Sequence, residues 1–307
     1  MKTALISHPD CLLHNMGHGI PEIPERMTVI EQAISSSDLT SQLQEYLAPL
    51  ATREQLIRVH DPEYVDYIFM SSPKEDTIPL DPDTWMNPYT LKAALHAAGA
   101  AILGVDLVMT GKSKAAFGNI RPPGHHAEKS TAMGFCIFNN VAVGVMHAIE
   151  HYGLERVAII DFDAHHGNGI ENIFLNNEKV LYCSSFEHPF YPFSGADTVS
   201  DHILNIPLSA GTEGKDVRRK IQDYWYARLV AFKPEILFFS AGFDAFYQDV
   251  MSDLMFHIED YASITRDIIE LTRDSTKNRI VSLLEGGYAL DGLGDCAVAH
   301  LREIVHS

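Results

Sequence analysis

Short apolar runs alternate with longer amphipathic stretches from one end of the chain to the other. Val157 to Ile160 is a β-branched-rich run bounded by polar and turn residues, which predicts a buried strand. Runs of the same kind predict strands over Thr3 to Ser7, Lys114 to Phe117, Lys179 to Ser184, Glu235 to Ser240 and Arg279 to Leu284. Between them the pattern predicts helices over Glu25 to Ile34, Thr52 to Arg58 and Pro62 to Phe69, with Thr52 and Asp61 as caps and Pro62 at the first helical position. A long Ala-rich helix opens at Asn87-Pro88 and runs to about Met109, and its small residues suggest close packing on a sheet. Further helices are expected up to His151, stopped by Gly153, and over Ile170 to Leu175, Glu213 to Phe232, His257 to Asp274 and Asp291 to Ile304. Ser71 to Asp83 is polar and Pro-rich and reads as a loop over the surface or the site. No composition break, repeat or low-complexity segment interrupts the alternation. The economical reading of residues 1–307 is one α/β domain with a mostly parallel sheet.

Composition narrows the class. A hydrophobic content of 46% and a charged content of 21% fit a globular protein with a sizeable core. Net charge is −18, from 23 basic and 41 acidic residues, which argues against direct nucleic-acid binding and is compatible with a cationic substrate. None of the four cysteines is paired at C-x-x-C spacing, so neither a zinc finger nor a thioredoxin motif is present, and reduced thiols are expected. The N-terminal apolar run is too short for a signal peptide, and no stretch approaches the ~18 apolar residues of a membrane span. A cytoplasmic protein with no membrane partner is the expectation.

The chemistry gathers at strand ends, where ligands bind in open α/β sheets. The first predicted strand of this kind runs into Asp161, Asp163, His165 and His166, then Gly167-Asn168-Gly169. Residues alternate in direction along an extended chain, so Asp161, Asp163 and His165 can share one side, and carboxylate with imidazole suits a divalent metal. Glu235 to Ser240 ends in Ala-Gly-Phe-Asp244, another carboxylate placed to converge on the same point. Lys114 to Phe117 leads into Arg121-Pro-Pro-Gly-His125-His126-Ala, two histidines on a stiff turn and candidates for general acid–base work. Arg26 in a first helical turn opposes the helix dipole, which points to a partner elsewhere. The loop Ser185 to Gly195 holds Phe186, Phe190, Tyr191 and Phe193, which could be core plugs or the lining of a ligand channel.

RPPGHHA, DFDAHHGNG, SAGFDA and EGGY, in this order and spacing, resemble the zinc-dependent histone deacetylases and their bacterial acetylpolyamine amidohydrolase relatives. GFCIFNN and HDPEYVDYI match that family too, and DFDAHHGNG with EGGY is closer to the class II branch. The resemblance runs from about Pro21 to the C-terminus. It implies an arginase-like fold, a central parallel eight-stranded sheet flanked by helices. It implies one Zn2+ held by Asp163, His165 and Asp244, with His126 as general base and His125 as electrostatic partner or proton donor. Asp161 would orient His125. Asn168 would face His126 where class I has Asp, and should leave that histidine less basic. Tyr288 would donate its hydroxyl to the developing oxyanion. Gly134, Phe135 and Tyr191 would line the lysine channel, and Arg26 would be the arginine of the internal cavity through which acetate leaves. Structural K+ would be held by Asp161, Ser184 and the backbone oxygens of Asp163, His165 and Ser185.

There are departures from the family pattern. Phe186 stands where the family often has His, Phe193 where it has Gly, and Gln248-Asp-Val-Met-Ser252 replaces Gly-Asp-Pro-Leu-Gly. Met251 takes the position where a polyamine deacetylase carries a Glu, and an apolar residue there cannot pair with a second ammonium. The expected activity is hydrolysis of the acetyl amide of acetyl-lysine in a protein or peptide substrate. The alternative within the fold is an acetylpolyamine or small-amide deacetylase. A silent scaffold for acylated tails and a two-manganese ureohydrolase are the readings from other classes. Oligomeric state is not legible.

Overall fold

A computed structural model describes all 307 residues. Ten strands are present: β1 Thr3–Ser7, β2 Leu43–Leu47, β3 Ile78–Pro79, β4 Trp85–Met86, β5 Ala115–Gly118, β6 Val157–Asp161, β7 Val180–Glu187, β8 Ile203–Leu208, β9 Ile236–Ala241 and β10 Ile280–Leu284. Eight of them form one parallel sheet in the order β2-β1-β5-β10-β9-β6-β7-β8. The expected eight-stranded α/β architecture is therefore observed. The remaining two, β3 and β4, pair as a small antiparallel hairpin inside and beside the segment read as a loop.

The two sheet strands that the apolar pattern did not reveal, β2 and β8, are the two edges. Every residue of β5, β6, β7, β9 and β10 is buried, so those strands read as continuous apolar runs. β2 (LQEYL) buries only Leu43, and β8 (ILNIPL) carries an exposed Pro207 where an edge strand tolerates proline. The stretch Glu213 to Phe232 also differs from expectation, forming two helices, Gly214–Tyr224 and Tyr226–Phe232. They meet at Trp225, which is fully buried and whose indole N–H donates to Leu204 O at 3.0 Å, tying the break to β8.

Each face of the sheet packs its own core. Val157, Ile159, Phe238, Val281 and Leu283 join the helices Thr90–Met109 and Asn140–Tyr152. The alternate residues Ala158, Ile160, Phe239, Ile280 and Leu284 join the helices Ile258–Thr276 and Leu290–His306. The helix Thr90–Met109 corrects one expectation, because it is long and apolar enough to cross a membrane. It is nevertheless a core helix here, with fourteen of its residues buried.

Candidate active site

The site lies past the carboxyl ends of the central strands. β6 and β9 are neighbours, with Asp161 in register with Ser240, so chain leaving both strands arrives at one place. Past β6, Phe162 and Ala164 bury on one side while Asp163 and His165 turn to the other, as strand alternation predicts. His165 Nδ1 lies 3.1 Å from Asp163 Oδ1 and 3.1 Å from Asp244 Oδ2, and all three residues are buried. Backbone N–H groups hold the carboxylates: Gly286 N donates to Asp163 Oδ2 at 2.9 Å and Ala164 N to Asp244 Oδ1 at 2.8 Å. A Cβ on Gly286 would overlap both carboxylates, so only glycine allows this approach. Burial and the neighbouring Asp163 push Asp244 up to about 7. Two buried carboxylates sharing one imidazole, with no Lys or Arg paired to them, make a donor set that fits a divalent cation.

The paired histidines enter from the loop after β5. Glu285, at the end of β10, accepts from the N–H of Gly124 at 2.6 Å and of His125 at 3.0 Å, which clamps that loop. Burial raises the Glu285 carboxyl to about 7. His126 Nδ1 is 2.8 Å from Asn168 Oδ1. The Asn168 amide nitrogen donates to Glu128 at 2.7 Å, so its oxygen faces the ring and His126 carries its proton on Nδ1, leaving Nε2 as a free base. Burial and the neighbouring His125 and His165 hold His126 well below the usual histidine range. Burial would lower His125 as well, but Asp163 and Asp161, the latter 3.2 Å from its Nδ1, raise it to about 10. The two adjacent histidines thus sit in environments of opposite effect.

Tyr288 lines the pocket, and burial raises its hydroxyl well above the usual range despite Arg26, so it stays a donor. Arg26 is fully buried behind Tyr288 and does not line the open cavity. Its guanidinium donates to Gly287 O and Glu285 O, each at 2.5 Å, pairs with Glu22 at 3.0 Å, and lies 4.7 Å from the Tyr288 ring centre. These carbonyls and Glu22 are the partners that its awkward place in the helix demanded. Arg121, also fully buried, shares Glu22 and fixes the start of the histidine loop.

A cavity of about 320 Å³ leads to these groups. Gly134, Phe135, Tyr191 and Met251 line it as expected, joined by Asp83, Pro123, Phe190, Val250 and Gly286. Gly134 has φ +56°, and a Cβ there would meet the His126 ring. The open question about the aromatic loop resolves residue by residue. Phe190 and Tyr191 face the cavity, Phe186 is a buried plug against His166, and Phe193 is 74% exposed.

Asp83, Glu285 and Asp249 were given no role from the sequence. Asp83 accepts from Gly134 N at 3.0 Å and so shapes the channel wall from a loop with no periodic signal. Asp161, at the end of β6, stands opposite Ser184 in β7, and Ser185 follows it. His166 Nε2 lies 2.9 Å from Glu171 Oε2 and its Nδ1 3.2 Å from Ser184 Oγ. One other His–Asp cluster exists, His8, Asp10 and His96.

The histone deacetylase domain model matches residues 20–304, and the chain belongs to the histone deacetylase family. A probable deacetylase of Archaeoglobus fulgidus is 34% identical over 303 residues, covering 95% of this chain and 83% of that protein. The polyamine deacetylase HDAC10 of Mus musculus is 34% identical over 314 residues, covering 95% of this chain but 46% of its own length. The crystal structure of the HDA15 HD domain superposes with a TM-score of 0.92 at 30% identity, covering 100% of this chain and 90% of that one. The protein is thus a deacetylase of this family.

Proposed function

We propose that the protein is a class II-like, zinc-dependent lysine deacetylase that releases acetate from acetyl-lysine in proteins or peptides. The observation that carries this reading is the meeting of a cation-binding triad, a free imidazole base and a protonated phenol at the floor of one narrow channel. Zn2+ held by Asp163, His165 and Asp244 would acidify a water and polarise the acyl oxygen. His126 Nε2 takes the proton of the attacking water. His125 hands a proton to the departing lysine amine. The Tyr288 hydroxyl donates to the acyl oxygen as charge develops on it. Phe135 and Tyr191 flank the alkyl chain and keep water from the reacting centre. Structural K+ on Asp161, Ser184 and the backbone oxygens of Asp163, His165 and Ser185 is part of the same reading. The register that sets Asp161 opposite Ser184 supports it.

Met251 on the channel wall, without charge, favours a peptide over a polyamine. The Asp83 carboxylate, which also lines the channel, together with the likeness to a polyamine deacetylase, favours the second reading, an acetylpolyamine substrate whose distal ammonium meets Asp83. Rates on an acetyl-lysine peptide and on N-acetylputrescine, measured with zinc-loaded wild type and Tyr288→Phe, separate the two. Peptide turnover that collapses in the variant supports the proposal. Turnover of the polyamine alone overturns it in favour of the second reading.

A further inference from the structure

The segment after the Asp244 ligand carries two residues of the channel wall, Val250 and Met251, and between them and the ligand lies Asp249. Asp249 is 6% exposed. It has no Lys, Arg or His partner, and instead its carboxylate accepts three backbone N–H groups. Oδ2 takes Tyr288 N at 2.5 Å and Ala289 N at 2.9 Å, and Oδ1 takes Met251 N at 3.0 Å. The wall segment is itself anchored, with Ser252 Oγ donating to Asp244 O at 2.7 Å. One side chain therefore joins two stretches of chain about 40 residues apart, one forming the mouth and the other presenting the phenol. Arg26 grips the carbonyls of Glu285 and Gly287 just before Tyr288, so the backbone there is pinned through its carbonyls by Arg26 and through its N–H groups by Asp249.

We propose that Asp249 is a positioning residue for Tyr288. It sets where the phenol hydroxyl stands and ties that placement to the Val250–Met251 wall of the channel. The inference rests on the proposed role of Tyr288 as oxyanion donor. Hydrogen bonds to an oxyanion depend steeply on geometry, and a misplacement of about 1 Å costs on the order of 100-fold in rate. A carboxylate accepting three N–H groups is the kind of support that prevents such drift, because each removed partner leaves a buried amide unpaired.

The test is a double-mutant cycle between Asp249 and Tyr288 with the zinc-loaded full chain and an acetyl-lysine peptide. Asp249→Ala should lower kcat about 100-fold with KM within about threefold. In the Tyr288→Phe background the same change should lower kcat less than about threefold, because the group it positions is already gone. Asp249→Asn keeps one acceptor oxygen and should recover part of the loss. It also serves as the cycle partner if the alanine variant does not fold. Equal losses in both backgrounds would show a purely structural role and overturn the proposal while leaving Tyr288 as donor. Full activity in Tyr288→Phe alone would overturn the donor reading and this inference with it.

Discussion

Two clusters in this molecule place three His and Asp ligand atoms within reach of one ion, and they differ in charge and geometry. Asp163, His165 and Asp244 converge with two carboxylates, one imidazole and no Lys or Arg paired to them. In the other, His8, Asp10 and His96, Lys92 Nζ sits 2.8 Å from Asp10 Oδ2 and already supplies a positive charge. The rings of His8 and His96 stack 3.5 Å apart and 9° from parallel, so their in-plane lone pairs cannot meet at one ion. His96 is fixed by its Nδ1, 2.7 Å from Ala48 O, and His8 accepts from Asp10 N at 3.1 Å. The carboxylates record the difference. Hydrogen bonding to Lys92 lowers Asp10, whereas burial and Asp163 raise Asp244 to about 7. Residue types alone do not make a metal site. Convergent lone pairs and an uncompensated charge do.

The sharpest way to break this comparison is metal content. On the proposed reading, wild type holds one zinc per chain and Asp244→Asn loses it. The rate should fall by about a thousandfold or more, since the metal supplies several kcal/mol of transition-state stabilisation. His96→Ala should keep one zinc. Two zinc per chain in wild type, one of them lost with His96, would erase the distinction, and two manganese would revive the ureohydrolase reading. Next in size is Tyr288→Phe, expected to cost about 100- to 1,000-fold in kcat with zinc content unchanged.

A stability effect follows from the same contrast between histidines among carboxylates and histidines without them. His300 is buried between the hydroxyls of Thr265, at 2.6 Å, and Ser282, at 2.8 Å, and burial lowers it to about 3. Its folded pKa lies below the unfolded value near 6.5, so the unfolded chain takes the proton first. The stability it contributes is complete above pH 6.5 and is lost as pH falls from 6.5 toward 3, at up to about 1.4 kcal/mol per pH unit. His300→Asn should lower the melting temperature at pH 7 and flatten its decline between pH 6.5 and 4.5. An unchanged slope would contradict the assignment. Smallest is Lys92→Met, because Lys92 is 61% exposed and such pairs contribute at most about 1 kcal/mol. The variant should still bind one zinc, since the stacked rings remain. A second zinc would show that Lys92 alone excludes the ion.

Local pattern made much of this legible. Asp163 and His165 are two residues apart beyond an unmistakable strand, and His125-His126 follow a turn that only Pro-Pro-Gly makes. Asp244 stood at another strand end, placed to converge on the same point, and the role of Tyr288 came from the family resemblance. The central strands were readable because both faces are buried. The edges β2 and β8 were not, because an edge strand needs few apolar residues and admits proline.

The alternation that builds the parallel sheet and the chemical groups at its strand ends are readable along the chain, since both depend on residues close in sequence. Which acidic residues serve the site depends on long-range folding. Asp83 shapes the channel, Asp249 and Glu285 hold the backbone around Tyr288 and His125, and Arg26 is buried behind Tyr288. The partners that tie them across the site are between about 40 and 260 residues away along the chain, and no local pattern records a contact made across that distance.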